Sequence, residues 1–508
     1  LPRIGGFKLL QALEEAIVSR RRISTRHDPI ASSPPSPYII GFPIGPGGRG
    51  DMILVLDFGS QYTQLIARKI RALRVKSEIV PCTHPIAKIR AARPDGVVLS
   101  GGPASSYAPG APKLNPKVLE LGVPVLGICY GLQVAARTLG GKVIPATARE
   151  FGRAHIDVLG DDPLLRGVKR DSVVWMSHGD RVEGLPRGFK TIGRTEDCPY
   201  AAVAAPSRRF WGVQFHPEVH HTDGGPTILK NFALGICKAP PTWRPANFVE
   251  QSIAELRATV GDRRVVSAVS GGVDSTVMAV LLDRAIGARS HPVFVDNGVL
   301  REGEPDRVVA RFRDRLGVKV KRLRTASHFL SRLKGVADPE RKRKIIGREF
   351  IRVFFGELER GDVLAQGTLY PDVIESVSTK GPSATIKTHH NRVPAVLKLI
   401  EAGRVVEPLK ELFKDEVREV GRALGIPEEL LMRHPFPGPG LAVRILGEIT
   451  PKRLKILRQA DSILIQELRR AKAYDEIWQA FCVLLPVRTV GVMGDERTYA
   501  HVAAIRAV

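Results

Sequence analysis

Ser270-Gly271-Gly272-Val273-Asp274-Ser275 is the stretch that decides how this chain is read. A short apolar run, Val265 to Val269, precedes it, and an apolar helical pattern, Thr276 to Leu282, follows. Strand, Gly-rich turn and helix in that order form a cradle for a phosphate. Glycines let the backbone come close to an anion, and the N–H groups at the helix start point at it. The hydroxyls of Ser270 and Ser275 add donors, and Asp274 inside the turn is a candidate Mg²⁺ ligand. Gly-Lys-Ser/Thr of the Walker type is absent, so the usual γ-phosphate reading is not supported. The plainer reading is an ordinary Gly-rich turn between a strand and a helix.

The chain is 508 residues long, enough for two to four domains with their own cores. Hydrophobic residues make up 43% and charged residues 25%, a globular balance, and there is no run of eighteen apolar residues to cross a membrane. A net charge of +25 suits acidic partners. The basic residues are spread along the chain rather than gathered into one arm, which favours phosphate substrates over a dedicated nucleic-acid surface. Five cysteines, none in a Cys-x-x-Cys pair, argue against a disulfide scaffold or a zinc site and for a reducing cytoplasm.

Residues 1–51 differ from the rest, with Arg20-Arg21-Arg22, clustered prolines and a Gly/Pro stretch from Gly41 to Gly50. They read as a disordered extension, with Met52 expected to be the native start. Short strands alternating with helices then give two consecutive parallel-sheet α/β domains, 52–240 and 247–433, joined by a Pro-rich linker. A Pro-Phe-Pro-Gly-Pro-Gly turn, Pro435 to Gly440, opens a third segment, 434–508, read as a partial α+β domain.

Within the first domain, Gly127-Ile128-Cys129-Tyr130-Gly131 follows the strand Val123–Ile128. Glycines on both sides of the cysteine match a nucleophile elbow, which lifts the side chain over the sheet and sets it at a helix N-terminus that favours a thiolate. Phe215-His216-Pro217-Glu218 ends another strand, placing His216 as base and Glu218 as its orienter. Gly101-Gly102-Pro103 supplies backbone N–H groups that, with the N–H of Tyr130, suit an oxyanion hole. Taken together these features resemble class I glutamine amidotransferases, over about Ile53 to Cys237. The resemblance implies a thioester on Cys129, and glutamine contacts at Gln133 and at Ser177, His178 and Asp180.

The Ser270–Ser275 spelling resembles the pyrophosphate loop of ATP pyrophosphatases, which split ATP between its α and β phosphates. Further text discriminates among them: Phe294-Val295-Asp296-Asn297-Gly298, Gln366 to Ser376, and Lys387-Thr388-His389-His390-Asn391. Their order behind an amidotransferase domain resembles the GMP synthase family, nearly continuously from Met52 to Val508. The resemblance implies ATP contacts at Ser270, Gly271, Gly272, Val273, Asp274, Ser275, Thr276 and Lys380, and xanthosine monophosphate (XMP) contacts at Arg301 and Asp372. It implies ATP, XMP and L-glutamine as substrates, Mg²⁺ with the ATP, no tightly bound organic cofactor, and a homodimer if the C-terminus is complete. Arg341, Lys342, Arg343 and Lys344 are expected on a closing segment that neutralises ATP, with weaker nucleotide contacts at His389 and His390. The family's C-terminal Lys-Pro-Pro-Ala-Thr-Ile-Glu-Trp-Glu ending does not occur before Val508, which puts XMP binding and dimerisation in question.

Two other classes stay open on the residues alone. One is a different pyrophosphate-loop ligase, such as an NAD synthetase or a tRNA thiolase; the Cys129 elbow disfavours the first, and the lack of cysteines between Cys237 and Cys482 disfavours the second. The other is a nucleic-acid-binding protein on an inactive scaffold, which salt-dependent RNA retardation without AMP formation would reveal.

Overall fold

The computed structural model describes residues 50–377, 394–493 and 496–508. Most of the expected N-terminal extension, and Lys380, His389 and His390, lie outside them. The described residues fall into two compact units. One holds residues 50–247 with 370–377; the other holds 248–369 with the described residues from 394 onward.

The first unit is built on a nine-stranded sheet among its described residues, ordered β2-β1-β3-β4-β9-β8-β7-β5-β6. Its strands are β1 (Met52–Asp57), β2 (Lys76–Pro81), β3 (Gly96–Leu99), β4 (Val125–Ile128), β5 (Lys142–Val158), β6 (Ser172–Gly184), β7 (Lys190–Arg194), β8 (Ala202–Ala205) and β9 (Phe210–Val213). From β2 to β9 the neighbours run parallel. The reason is legible in the residues: Ile53–Leu56, Val97–Leu99 and Val125–Ile128 are continuous apolar runs, buried on both faces. Beyond β9 the pairing turns antiparallel, which the strand–helix alternation had not signalled. β6 alternates buried and half-buried positions, as a strand with one face on the core does.

The second unit carries a five-stranded sheet, β12-β11-β10-β13-β14, parallel throughout. These strands are β10 (Val265–Ala268), β11 (Ser290–Asp296), β12 (Lys321–Arg324), β13 (Val363–Ala365) and β14 (Val405–Val406). The helix Val273–Ile286 follows β10 directly and is buried along most of its length, so it is apolar nearly all round. A long helix, Pro451–Arg470, packs on an antiparallel pair, β15 (Ala480–Met493) and β16 (Glu496–Ala507). One apolar cluster joins Val295, Phe329 and Ile346 to Leu441, Leu457 and Leu484. The C-terminal segment therefore shares a core with the loops at the carboxyl ends of β11 and β12.

Candidate active site

Cys129 sits between β4 and the helix Tyr130–Thr138 with φ 50° and ψ −107°, a conformation costly for any residue with a Cβ. Its flanking glycines make that turn possible. A Cβ on Gly131 would stand 2.3 Å from the carbonyl oxygen of Leu99, and one on Gly127 would stand 2.7 Å from the backbone nitrogen of Leu132. Such contacts are backbone on backbone and cannot be relieved by moving a side chain.

The elbow aims the thiol at a cluster of polar groups. Cys129 Sγ lies 3.7 Å from the carbonyl oxygen of Ser177, and Gln214 Nε2 donates to Sγ at the same distance. His216 lies beside Cys129, and its Nδ1 lies 2.7 Å from Glu218 Oε1. Burial lowers the pKa of His216, but the neighbouring charges of Cys129 and Glu218 and their hydrogen bonds outweigh it. The imidazole is thus held well above its ordinary range and favours the protonated form. Tyr62 meets the ring edge-on at 5.1 Å, and Gly101 lies against it, a Cβ there falling 3.0 Å from His216 Cε1.

The expected glutamine-binding residues gather nearby. Gln133 is buried and donates from Nε2 to the carbonyl oxygen of Asp180 at 2.7 Å. Asp180 accepts from the hydroxyl of Tyr107 at 2.7 Å. His178 is buried, and Gly102 packs against the carbonyl of Phe58. The Tyr130 side chain is turned away, its hydroxyl donating to Pro112 O, so what it offers is its backbone N–H. Sequence reasoning missed Tyr62, Tyr107 and Gln214. Only Gln214, two residues before His216 on the same strand end, carried a local signal.

In the second unit the Ser270–Ser275 turn is closed by its own hydroxyls. Ser275 Oγ accepts from the backbone N–H of Ser270 and shares a hydrogen bond with Ser270 Oγ, both at 3.1 Å. Gly271 has φ +73° and packs against Val308. Val273 and Thr276 are buried, and Thr276 donates to Gly272 O twice, from Oγ1 at 2.8 Å and from its backbone N–H at 3.0 Å, which closes the first turn of the helix. Asp274 is half-buried, and Lys414 donates to both of its carboxylate oxygens.

Arg301 follows β11. Its Nε lies 2.9 Å from Asp461 Oδ2, and its guanidinium stands 4.7 Å from the centre of the Phe436 ring. Arg458 holds the same loop by donating to Leu300 O at 2.9 Å and Gly298 O at 2.6 Å. Asp372 belongs to the first unit, on the helix Tyr370–Val377, whose Tyr370 ring stacks 4.8 Å from the Arg71 guanidinium. One expectation is overturned. Lys342 does not face a nucleotide: it is fully buried, and its Nζ donates to the carbonyls of Ala442, Ile445 and Gly447. It sits on the same helix face as buried Ile346 and Glu349, whereas Arg341, Arg343 and Lys344 are exposed.

Known proteins resemble this chain over most of its length. Residues 54–236 match the family described as "Glutamine amidotransferase class-I", and residues 466–508 match "GMP synthase C terminal domain". A GMP synthase [glutamine-hydrolyzing] of Thermosynechococcus vestitus is 51% identical over 91% of this chain and 88% of its own length. Those of Aquifex aeolicus and Chlorobium chlorochromatii are each 53% identical, over 90% of this chain and 89% and 90% of their own lengths. The chain belongs to the glutamine-hydrolysing GMP synthase family. As a GMP synthase it is a ligase of purine nucleotide synthesis that draws its nitrogen from glutamine. Among the described residues no helix is long and apolar enough to cross a membrane.

Proposed function

We propose that the two sites divide GMP formation between them as follows. In the first unit Cys129 Sγ attacks the side-chain carbonyl of glutamine. The C–N bond breaks, protonated His216 gives its proton to the leaving ammonia, and a thioester remains on Cys129. Water then cleaves the thioester to glutamate and returns the thiol. Gly101, Gly102 and the Tyr130 N–H face the developing oxyanion. Gln133, Ser177, His178 and Asp180 line the glutamine side. In the second reaction the 2-oxygen of the xanthine in XMP attacks the α-phosphorus of ATP, and the bond to the β-phosphate oxygen breaks. Pyrophosphate leaves into the Ser270–Ser275 turn. Ammonia then adds at the activated carbon, AMP departs with the former 2-oxygen, and GMP results. Arg301 contacts XMP in this reading.

Support comes above all from the meeting of Cys129, His216 and Glu218 at a strained elbow. Mg²⁺ is proposed to accompany ATP. A single half-exposed carboxylate beside a phosphate turn fits the way Mg²⁺ is held, by one or two carboxylates with substrate phosphates. Asp274 would hold it, with Lys414 giving up or sharing the carboxylate. Bound there, the ion supplies charge neutralisation for the departing pyrophosphate.

A homodimer is proposed as well. Val487, Val490, Tyr499 and Ile505 are exposed on the β15–β16 pair, and exposed apolar side chains gathered on one element suit an association surface. Cytoplasmic location is proposed from the five free cysteines and the nucleotide substrates. The central test is Cys129→Ala. GMP formation from glutamine should vanish while formation from added ammonia persists; loss of both, in a folded protein, would refute the division of labour.

A further inference from the structure

Glu304 is the first residue of the helix Glu304–Leu316 and is almost wholly buried, 3% exposed. Both of its carboxylate oxygens are engaged. Oε1 accepts from Arg433 Nη2 at 2.9 Å, and Oε2 accepts from the backbone N–H of Arg301 at 3.2 Å. The other arm of the Arg433 guanidinium donates to the carbonyl of Gly271, inside the pyrophosphate-type turn. An unbroken polar chain thus runs from Gly271 through Arg433 and Glu304 to Arg301. The same helix supports the turn by packing, because Val308, one turn after Glu304, fills the space where a Gly271 side chain would stand.

We propose that Glu304 and Arg433 are positioning residues that couple the two nucleotide sites, so that binding of ATP and of XMP each strengthens the other. The proposal rests on the reading that the Ser270–Ser275 turn takes the ATP phosphates and Arg301 takes XMP. The physical basis is the stiffness of a charge pair, its carboxylate buried and its guanidinium partly so, with two hydrogen-bonded ends. In a low-dielectric site such a pair has one good geometry, and moving either end leaves a charge or a peptide group unpaired. Gly271 carries its carbonyl in a left-handed backbone conformation, so the orientation of the turn's N–H groups depends on what holds that carbonyl. Arg301, in turn, has its backbone fixed by Glu304 and its side chain fixed by Asp461. A nucleotide that orders one loop therefore orders the other through Arg433 and Glu304. Thermodynamic linkage makes the effect equal in both directions.

The test is calorimetric. Binding of a non-hydrolysable ATP analogue is measured with and without XMP, on the full chain, for the wild type, Glu304→Gln, Arg433→Lys and the double variant. The wild type should show tightening of the analogue by XMP of about fivefold or more, within the usual range of site coupling. Each single variant should bring that ratio to within about twofold of unity, and the double variant should add little more, as in a closed double-mutant cycle. A ratio unchanged in the variants, with both affinities reduced alike, would make the pair merely structural and overturn the proposal. So would a wild type without coupling. If Glu304→Gln does not fold, Arg433→Lys, which keeps the charge, carries the same comparison. Arg301→Ala separates the underlying reading: unchanged XMP affinity there would refute the assignment of Arg301, whatever the coupling shows.

Discussion

His216 Nδ1 and Glu218 Oε1 stand 2.7 Å apart, with a single proline between the two residues in the chain. Both side chains are buried, and Oε2 of Glu218 has no hydrogen-bond partner among the described residues. The carboxylate is therefore committed to the imidazole. Glu218→Gln keeps the shape and removes the charge that helps hold His216 protonated. Glutamine-dependent GMP formation should fall about a hundredfold or more, in kcat rather than KM, as when the orienting acid of a catalytic triad is neutralised. Ammonia-dependent formation should stay within about twofold of wild type, the scale of a change that leaves the transition state untouched. Comparing the two nitrogen sources in one assay checks this, and an undiminished glutamine rate would remove Glu218 from the mechanism.

The Cys129 elbow makes a second, purely steric prediction. Gly131→Ala would put a methyl group 2.3 Å from the carbonyl oxygen of Leu99, so the helix Tyr130–Thr138 must move away from β3. Overpacking of this kind costs about 1–3 kcal/mol and here displaces the nucleophile as well. The expected outcome is loss of glutamine hydrolysis with the ammonia-dependent reaction retained. Slower alkylation of Cys129 by a glutamine analogue would report the displacement directly.

Lys342 yields a prediction opposite to the one its sequence context invites. Lys342→Met should leave the KM for ATP unchanged and lower thermal stability, because three buried carbonyls lose their donor. Each such acceptor costs about 1–3 kcal/mol if no water replaces the lysine. Burial has already pushed the ammonium down to about 8, so this site gains little from the charge itself. A raised KM for ATP at unchanged melting temperature would return Lys342 to the closing segment.

These cases show which parts of the molecule its residues announce. The apolar strands, the Gly-x-Cys-x-Gly elbow and the His-Pro-Glu strand end are local patterns, and each stands where its spacing places it. Tyr107 with Asp180, and Glu304 with Arg433, are joined across 73 and 129 residues, and no short window contains both partners. Lys342 misleads for a different reason. Four consecutive cations read as a solvated face, yet a helix turns one residue of any four inward, and Lys342 shares its face with Ile346 and Glu349. The antiparallel half of the first sheet was hidden because β5 and β6 are half-buried strands without a short turn between them.

His434 gives the protein a pH dependence whose sign can be worked out. Its ring stacks on Tyr474 at 3.8 Å, Nε2 lies 2.7 Å from the carbonyl oxygen of Tyr474, and Nδ1 accepts from the Ala480 N–H at 3.3 Å. That arrangement requires the neutral ring, with the proton on Nε2. Burial lowers its pKa most; the Tyr474 and Ile477 backbone and Asp475 oppose the shift, and Arg301 adds to it. A histidine lowered in the folded state binds its proton better when unfolded. Its contribution is complete above the unfolded value, about 6.5, and is lost as pH falls from there toward the folded pKa. Wild type should therefore lose more thermal stability between pH 7.5 and 5.5 than His434→Phe, which keeps the stack and cannot titrate. The excess should be about 2–4 °C in Tm for each kcal/mol involved. Parallel losses in the two proteins would show that His434 is not the group that senses acid.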